Sequence, residues 1–206
     1  MLPLGCTNRF FARNNRKLGI LWSMPTKKQQ NIHLGSSSHI ISGWINYDID
    51  TYNGAVKADL AKGIPLPDNS VDKIFSEHVI EHFDKQTGYR LIEECYRVLK
   101  PGGVMRIGWP GFNKLISSYL LRSRKHRKHV SPHLELRYGH WDEIFADRLF
   151  SWGHRYAYTP RHMKDILQEV GFTKPKRYKY MYSDHGFVWD THNDPVTIYL
   201  ETEKPQ

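Results

Sequence analysis

From residue 30 onward the chain alternates short apolar runs with clusters of turn-forming residues. "NIHLG" (31–35) is a brief apolar run closed by Gly35, and "WINYDID" (44–50) alternates before ending in acids. "VDKIFS" follows the turn "PDNS", and "GVMRIGWP" follows "KPGG". The period of two, bounded by Gly, Pro, Asn and Asp, predicts a strand in each of these four segments. A further short strand is expected just before Asp59 in "VKADL". The period changes in "KQTGYRLIEECYRVLK" (85–100), where Leu91, Ile92, Cys95, Val98 and Leu99 recur at helical spacing. That helix is expected to stop at Pro101-Gly102-Gly103.

Strand, helix and strand of these lengths form a parallel crossover. A later helix is bounded by Thr159 as N-cap, Pro160 at the first helical position and Gly171 after the last turn. It directs Met163, Ile166, Leu167 and Val170 inward. "KRYKYMY" and "VTIYLET" read as an antiparallel edge pair. The fold class predicted is α/β: an open, mostly parallel sheet. Residues 111–158 are rich in aromatics and histidines with little clean period, and read as a cap inserted over the C-terminal edge of the sheet, where ligands of such sheets bind. Residues 1–29 show no sustained period and read as an N-terminal arm or linker, leaving 30–206 as one domain.

Composition narrows the class. The 206 residues are 39% apolar and 13% aromatic, which excludes disorder and repeat arrays and allows a real core. Two cysteines, Cys6 and Cys95, cannot build a disulfide framework, so a reducing, cytoplasm-like compartment is expected. Neither a secretory leader nor a membrane-spanning apolar run is evident. The net charge of +9 gathers near the start and in "LRSRKHRKH" (121–129). Such runs attract phosphate-rich partners, although many are only solvated faces.

Candidate chemistry begins at the first strand's end. Small residues there let backbone N–H groups approach a nucleotide-like ligand, and an acid ending the second strand can accept both hydroxyls of a ribose. The loop is Gly35-Ser36-Ser37-Ser38, and the acid is Asp48 or Asp50. Asp59 is placed to accept from an exocyclic amine.

These features occur in a familiar order. "NIHLGSSSHIISGWINYDID", "ADLAKGIPLPDNSVDKIFSEHVIEHF", "ECYRVLKPGGVMRIGWP" and "GHRYAYTPRHMKDILQEVGF" together resemble the class I S-adenosylmethionine-dependent methyltransferases over about residues 30–200. The resemblance implies a Rossmann-like, seven-stranded sheet and a site for S-adenosylmethionine. It implies that Gly35, Ser36 and Ser37 line the methionine and ribose side, and that Asp48 with Ile49 holds the ribose. Asp59 and Leu60 would face the adenine, and Ser76 and Glu77 would close the pocket near the sulfonium. The chain departs from the family pattern at Ser37, where a second glycine is usual, and in the short connection between Gly35 and Trp44.

"SEHVIEHF" (76–83) contains His78, Glu81 and His82 in the spacing H-x-x-E-H, a zinc-protease signature. That signature needs a long helix, whereas here it follows a strand and precedes the turn-like "DKQTG". The protease reading is therefore set aside. A helix beginning just after Ser76 would place all three side chains on one face, at the edge where acceptors bind. In two branches of the superfamily, the ubiquinone-pathway O-methyltransferases and the small-RNA 2′-O-methyltransferases, an E-x-x-E-H block at this point binds a divalent metal. The RNA branch adds a histidine that His154 in "HRYAYT" resembles. His78, Glu81, His82 and His154 are thus candidate ligands for manganese, zinc or magnesium, with His78 or His154 the candidate general base of a metal-free site.

A hydroxyl acceptor must lose a proton, and this constellation suits that need. Trp109, Phe112, Tyr119, Tyr138, Trp141, Phe145, Trp152, Tyr156 and Tyr158 offer faces for sugar rings or bases. The opening and "GH…YT" segments resemble predicted methyltransferases of glycan and polysaccharide assembly, which makes a sugar hydroxyl the leading acceptor. Alternatives are an RNA ribose 2′-hydroxyl, motivated by the basic run, a small phenol or quinone precursor, and a non-catalytic binding module with a degraded cofactor loop.

Overall fold

The computed structural model describes residues 29–121, 140–193 and 196–206. All but the last residue of the N-terminal arm, with Cys6, Tyr138 and all but the first residue of the basic run 121–129, lie outside those residues. Seven strands form one sheet in the order β3-β2-β1-β4-β5-β7-β6. They are β1 (Asn31–Leu34), β2 (Ile45–Asp48), β3 (Val56–Lys57), β4 (Val71–Glu77), β5 (Leu99–Pro110), β6 (Thr173–Tyr178) and β7 (Thr197–Glu203). β7 runs antiparallel to both β5 and β6, and every other pairing is parallel. The expected open α/β sheet with an antiparallel edge pair is observed.

Two helices cover one face: α1 (Lys85–Val98) and, as predicted, α4 (Pro160–Val170). Ile32, Leu34, Ile74, Met105, Ile107 and Leu200 point to this face and are essentially shielded from water, packed against Leu91, Ile92, Cys95, Met163 and Leu167. The Asp84 carboxylate caps α1 by accepting from Thr87 N at 2.9 Å, and Thr159 caps α4 by accepting from His162 N at 3.2 Å. Burial pushes the Cys95 thiol well above its usual range, which keeps it unreactive.

The helix end differs from expectation. α1 stops at Val98, and Leu99 already pairs with Val71 in β5; the ladder then resumes at Val104 opposite Lys73. Lys100-Pro101-Gly102-Gly103 is therefore an irregular stretch inside a strand and not the helix stop, because Val71 captures Leu99 first.

The other face has no crossover helix between β1 and β2. The Asn46 side chain braces that short connection: its Oδ1 accepts from Ile41 N at 2.9 Å and its amide donates to the carbonyls of Ile41 and Trp44, each at 3.0 Å. An aromatic cluster of Trp44, Phe75, Phe187 and Trp189, with Ile41 and Val104, closes this face instead. The chain beyond β6 delivers Phe187 and Trp189, anchored by Arg106.

The cap at the sheet's C-terminal edge comprises α2 (Phe112–Leu121), α3 (Trp141–Phe150) and a 3-10 turn at Ser151–Gly153. Leu115, Phe145, Leu149 and Val196 join it to β7. Trp109 and Tyr158 are fully buried and linked by a bond from Trp109 Nε1 to the Tyr158 carbonyl at 3.1 Å. They are core residues, and their faces are closed to any sugar or base.

Candidate active site

The loop after β1 turns on Gly35, whose φ is 68°. Its N–H and that of Ser36 both donate to the Tyr47 carbonyl, at 2.8 and 3.0 Å. A Cβ on Gly35 would lie 2.1 Å from a Val79 methyl carbon, so only glycine fits. Ser37 stands at φ 45°, the left-handed region that glycine occupies at lowest cost. Asp48, at the end of β2, accepts from Ser37 N at 2.8 Å through Oδ2 and from Asp50 N at 3.1 Å through Oδ1. Asp48 thereby shapes the loop beside which a cofactor would lie, while Asp50 and Ile49 are exposed. Asp59 caps a 3-10 turn, accepting from Ala61 N at 3.1 Å, above the buried Leu60.

Ser76 and Glu77, ending β4, are buried. The Glu77 carboxylate accepts from the Thr191 and His192 N–H groups, the Thr191 hydroxyl and the Tyr199 hydroxyl. Burial alone would raise its pKa. The donors from His192, Thr191 and Tyr199 outweigh burial and hold it well below the usual carboxylate range. Burial and the Glu77 charge together push Tyr199 upward. A fixed anion therefore stands at the end of β4, held by the segment after β6 and by β7.

The chain after Glu77 is not the helix that one-face spacing suggested. His78 N still donates to Gly108 O at 2.9 Å, extending the β-ladder, and His78 then turns the chain at φ 53°. One 3-10 turn, Ile80–His82, follows before α1 is capped at Asp84. The interval is too short for a helix of its own.

The turn nevertheless gathers the expected residues. Arg155 N and Tyr156 N both donate to Glu81 O, at 2.7 and 3.1 Å, and this pins His154 beside the turn. Ligand-capable atoms of Glu81, His82 and His154 all lie within 4.8 Å of one another, and the rings of His82 and His154 meet edge-on at 5.1 Å. Glu81 is 2% exposed. Its Oε1 lies 2.9 Å from His78 Nδ1 without hydrogen-bond alignment, and its Oε2 has no hydrogen-bond partner among the described residues. A buried carboxylate left this way is costly unless a cation or donor completes it.

His78 lies next to this trio. Its Nδ1 faces Glu81, its Nε2 is 3.0 Å from the Thr197 hydroxyl, and its ring lies tilted against that of His192, with centroids 4.0 Å apart. His78, Glu81 and His154 form the polar end of a cleft whose other walls, including Phe112, Leu115, Leu149 and Val196, are apolar. Thr197, His192 and Tyr199 escaped the sequence reading: each sits within or just before a β-rich segment whose alternation explains it without any site.

Residues 41–107, from just before β2 into β5, match the family model described as a methyltransferase domain. A probable S-adenosylmethionine-dependent methyltransferase of Mycolicibacterium smegmatis is 47% identical over 47 residues, which are 23% of this chain and 18% of that protein. The chain thus aligns with less than a fifth of that relative's length.

Among solved structures, an Archaeoglobus fulgidus S-adenosylmethionine-dependent methyltransferase superposes with a TM-score of 0.53 at 17% identity, covering 86% of this chain and 87% of its own. A Thermotoga maritima protein described as a possible histamine N-methyltransferase gives 0.55 at 15% identity, covering 85% and 82%. One from Mesorhizobium loti gives 0.54 at 15%, covering 85% and 91%. These likenesses are of fold.

Proposed function

We propose that this chain is a class I S-adenosylmethionine-dependent methyltransferase, as its match to a methyltransferase domain over residues 41–107 supports, and that it is an O-methyltransferase acting on a hydroxyl of a sugar, free or within a glycan. The observation that carries this reading is that Glu81 and His154, which converge with His82, line with His78 the polar end of an otherwise apolar cleft beside the end of β4.

In this reading Gly35, Ser36 and Ser37 bring the loop backbone to the methionine and ribose. Asp48 with Ile49 holds the ribose side, Asp59 and Leu60 face the adenine, and Ser76 and Glu77 border the sulfonium. A sulfonium leaves as a neutral thioether, so the acceptor sets the difficulty. Nitrogen acceptors need only their lone pair and correct orientation. A hydroxyl needs a base, and a cleft ending in three imidazole or carboxylate groups suits that demand. The apolar wall offers Phe112 to the C–H face of a sugar ring while the hydroxyl edge meets His78, Glu81 and His154. The new C–O bond forms as the S–CH3 bond breaks, and the hydroxyl proton passes to His78 or His154.

The donor set also fits a divalent ion. Glu81, His82 and His154 offer one carboxylate and two imidazoles in reach of one another, and the buried Glu81 Oε2 meets no donor among the described residues. Manganese or zinc suits such ligands better than magnesium. When bound, such an ion supplies a lowered hydroxyl pKa. The same three residues support RNA ribose 2′-hydroxyl as the second reading, because they match the metal-binding block of the small-RNA branch.

The test is calorimetry with S-adenosylmethionine, followed by methyl transfer to a panel of sugars, sugar phosphates and short RNAs. Cofactor binding, activity lost with EDTA and restored by Mn²⁺ or Zn²⁺, and a His82→Ala variant that binds cofactor but turns over slowly are expected. Absence of cofactor binding at concentrations on the order of millimolar would refute the proposal and favour a non-catalytic module.

A further inference from the structure

The cleft at the end of β4 is divided by chemistry. Its polar side chains come from two stretches, His78 and Glu81 on one, His154 and Tyr156 on the other, and the Arg155 and Tyr156 N–H groups hold those stretches together by donating to Glu81 O. The rest of the wall is chiefly Pro110, Phe112, Leu115, Leu149 and Val196. These residues belong to the junction of β5 with α2, to α3, and to the step into β7. The free volume of the cleft is about 30 Å³. Since one water-sized group needs about 10–15 Å³, two such groups fit side by side, and a whole sugar ring does not.

The backbone of the apolar wall is committed to itself. Pro110 has no N–H to offer. Gly111 N donates to Val196 O at 2.9 Å, and Phe112 N to Tyr158 O at 3.3 Å. Gly111 O in turn accepts from Lys114 N and Leu115 N, at 3.0 and 3.1 Å. A hydroxyl laid against Leu115, Leu149 and Val196 therefore leaves water and gains no side-chain partner from them, whereas a methyl group there is removed from water at a profit. An apolar pocket of this kind separates ligands that differ by one such group by about tenfold to a hundredfold.

We propose that the acceptor is a deoxysugar, whose methyl group stands on the carbon adjacent to the one bearing the reacting hydroxyl, and that Leu115, Leu149 and Val196 select it. This inference rests on the proposed methyl transfer to a sugar. The hydroxyl oxygen takes the methyl from the sulfonium and gives its proton to His78 or His154 at the polar end; the neighbouring methyl group fills the apolar end, and the ring stays at the mouth. Two sources share that chemistry, the C-methyl of a deoxysugar and a methoxy group installed earlier. The small free volume favours the C-methyl, which is one atom shorter.

The experiment measures kcat/KM for methyl transfer by the full chain to matched sugars that differ by one oxygen, L-rhamnose against L-mannose and L-fucose against L-galactose, each as its p-nitrophenyl glycoside. The deoxy member of at least one pair is expected to be preferred about tenfold or more. Val196→Thr puts a hydroxyl on the apolar wall at nearly constant volume and is expected to erase most of that preference with S-adenosylmethionine affinity unchanged. Leu149→Gln, at a half-buried position, makes the same test where Val196→Thr does not fold. Equal rates within each pair, preference for the hydroxylated member, or a preference that both variants keep would overturn the inference and leave the sugar reading standing. Faster transfer to a hydroxylated member carrying one methoxy group defeats the C-methyl assignment. A chain that binds S-adenosylmethionine but methylates no member of either pair defeats this inference and the sugar reading together, and one that does not bind S-adenosylmethionine defeats the methyltransferase reading beneath both.

Discussion

Arg106 grips Asp190 through both carboxylate oxygens, Nε to Oδ1 at 2.7 Å and Nη2 to Oδ2 at 2.5 Å, with both side chains wholly buried. The guanidinium also donates to the carbonyls of Tyr182 and Lys179 and to Glu201, so it fastens the chain beyond β6 onto the sheet face that lacks a crossover helix. Burial opposes its charge, but Asp190 and Glu201 outweigh that and hold it more firmly protonated than usual. Removing one partner strands a buried charge. Asp190→Ala is expected to cost about 3–5 kcal/mol in urea unfolding, and a loss under about 1 kcal/mol would show that the pair is not what holds the segment.

Gly35 and Val79 are in direct steric opposition, since a Cβ at residue 35 falls 2.1 Å from Val79 Cγ2 at a backbone φ of 68°. Gly35→Ala therefore meets two penalties, a clash and a left-handed conformation. Adding Val79→Ala relieves only the clash. The double variant is expected to recover cofactor affinity and stability partly, leaving about 1 kcal/mol of backbone strain. Strict additivity of the two substitutions would contradict the contact.

Asp48 organises the loop through Ser37 N and Asp50 N, and in the proposed function it also receives the ribose hydroxyls. Asp48→Ala removes both contributions, and calorimetry is expected to find S-adenosylmethionine affinity reduced by at least about a hundredfold, near 3 kcal/mol. Asp48→Asn keeps one acceptor oxygen and is expected to fall between. Equal affinity in wild type and Asp48→Ala would defeat the ribose assignment.

What the sequence disclosed follows from how local each signal was. β1, β2, β4 and α4 were legible because alternation, the cap Thr159 and the stop Gly171 lie within the segments themselves. The end of α1 was misplaced because Leu99 is taken by Val71, a partner remote in sequence. The H-x-x-E-H spacing suggested one face of a helix, whereas a 3-10 turn presents Glu81 and His82, and His154 arrives by hydrogen bonds from Arg155 and Tyr156 to the Glu81 carbonyl. No pattern around residues 179–192 announces that Arg106 and Glu77 will bind that segment from below.

His33 gives the fold a pH dependence of predictable sign. It is 4% exposed in β1, its ring 5.0 Å from that of Phe75 and its Nδ1 3.3 Å from Asn46 Oδ1. Burial lowers its pKa from 6.5 to about 4, against the weaker upward pull of Asn46 and the Glu77 charge. The native state therefore resists a proton that the unfolded chain accepts. The stability this contributes is fully present above pH 6.5 and is lost as pH falls toward about 4, amounting to roughly 3 kcal/mol over that interval. Other groups titrate in the same range, so the informative quantity is a difference. Urea unfolding of wild type and His33→Gln between about pH 7 and pH 4.5 is expected to show a shallower decline in the variant. Parallel declines would mean that His33 is protonated in the native fold without cost.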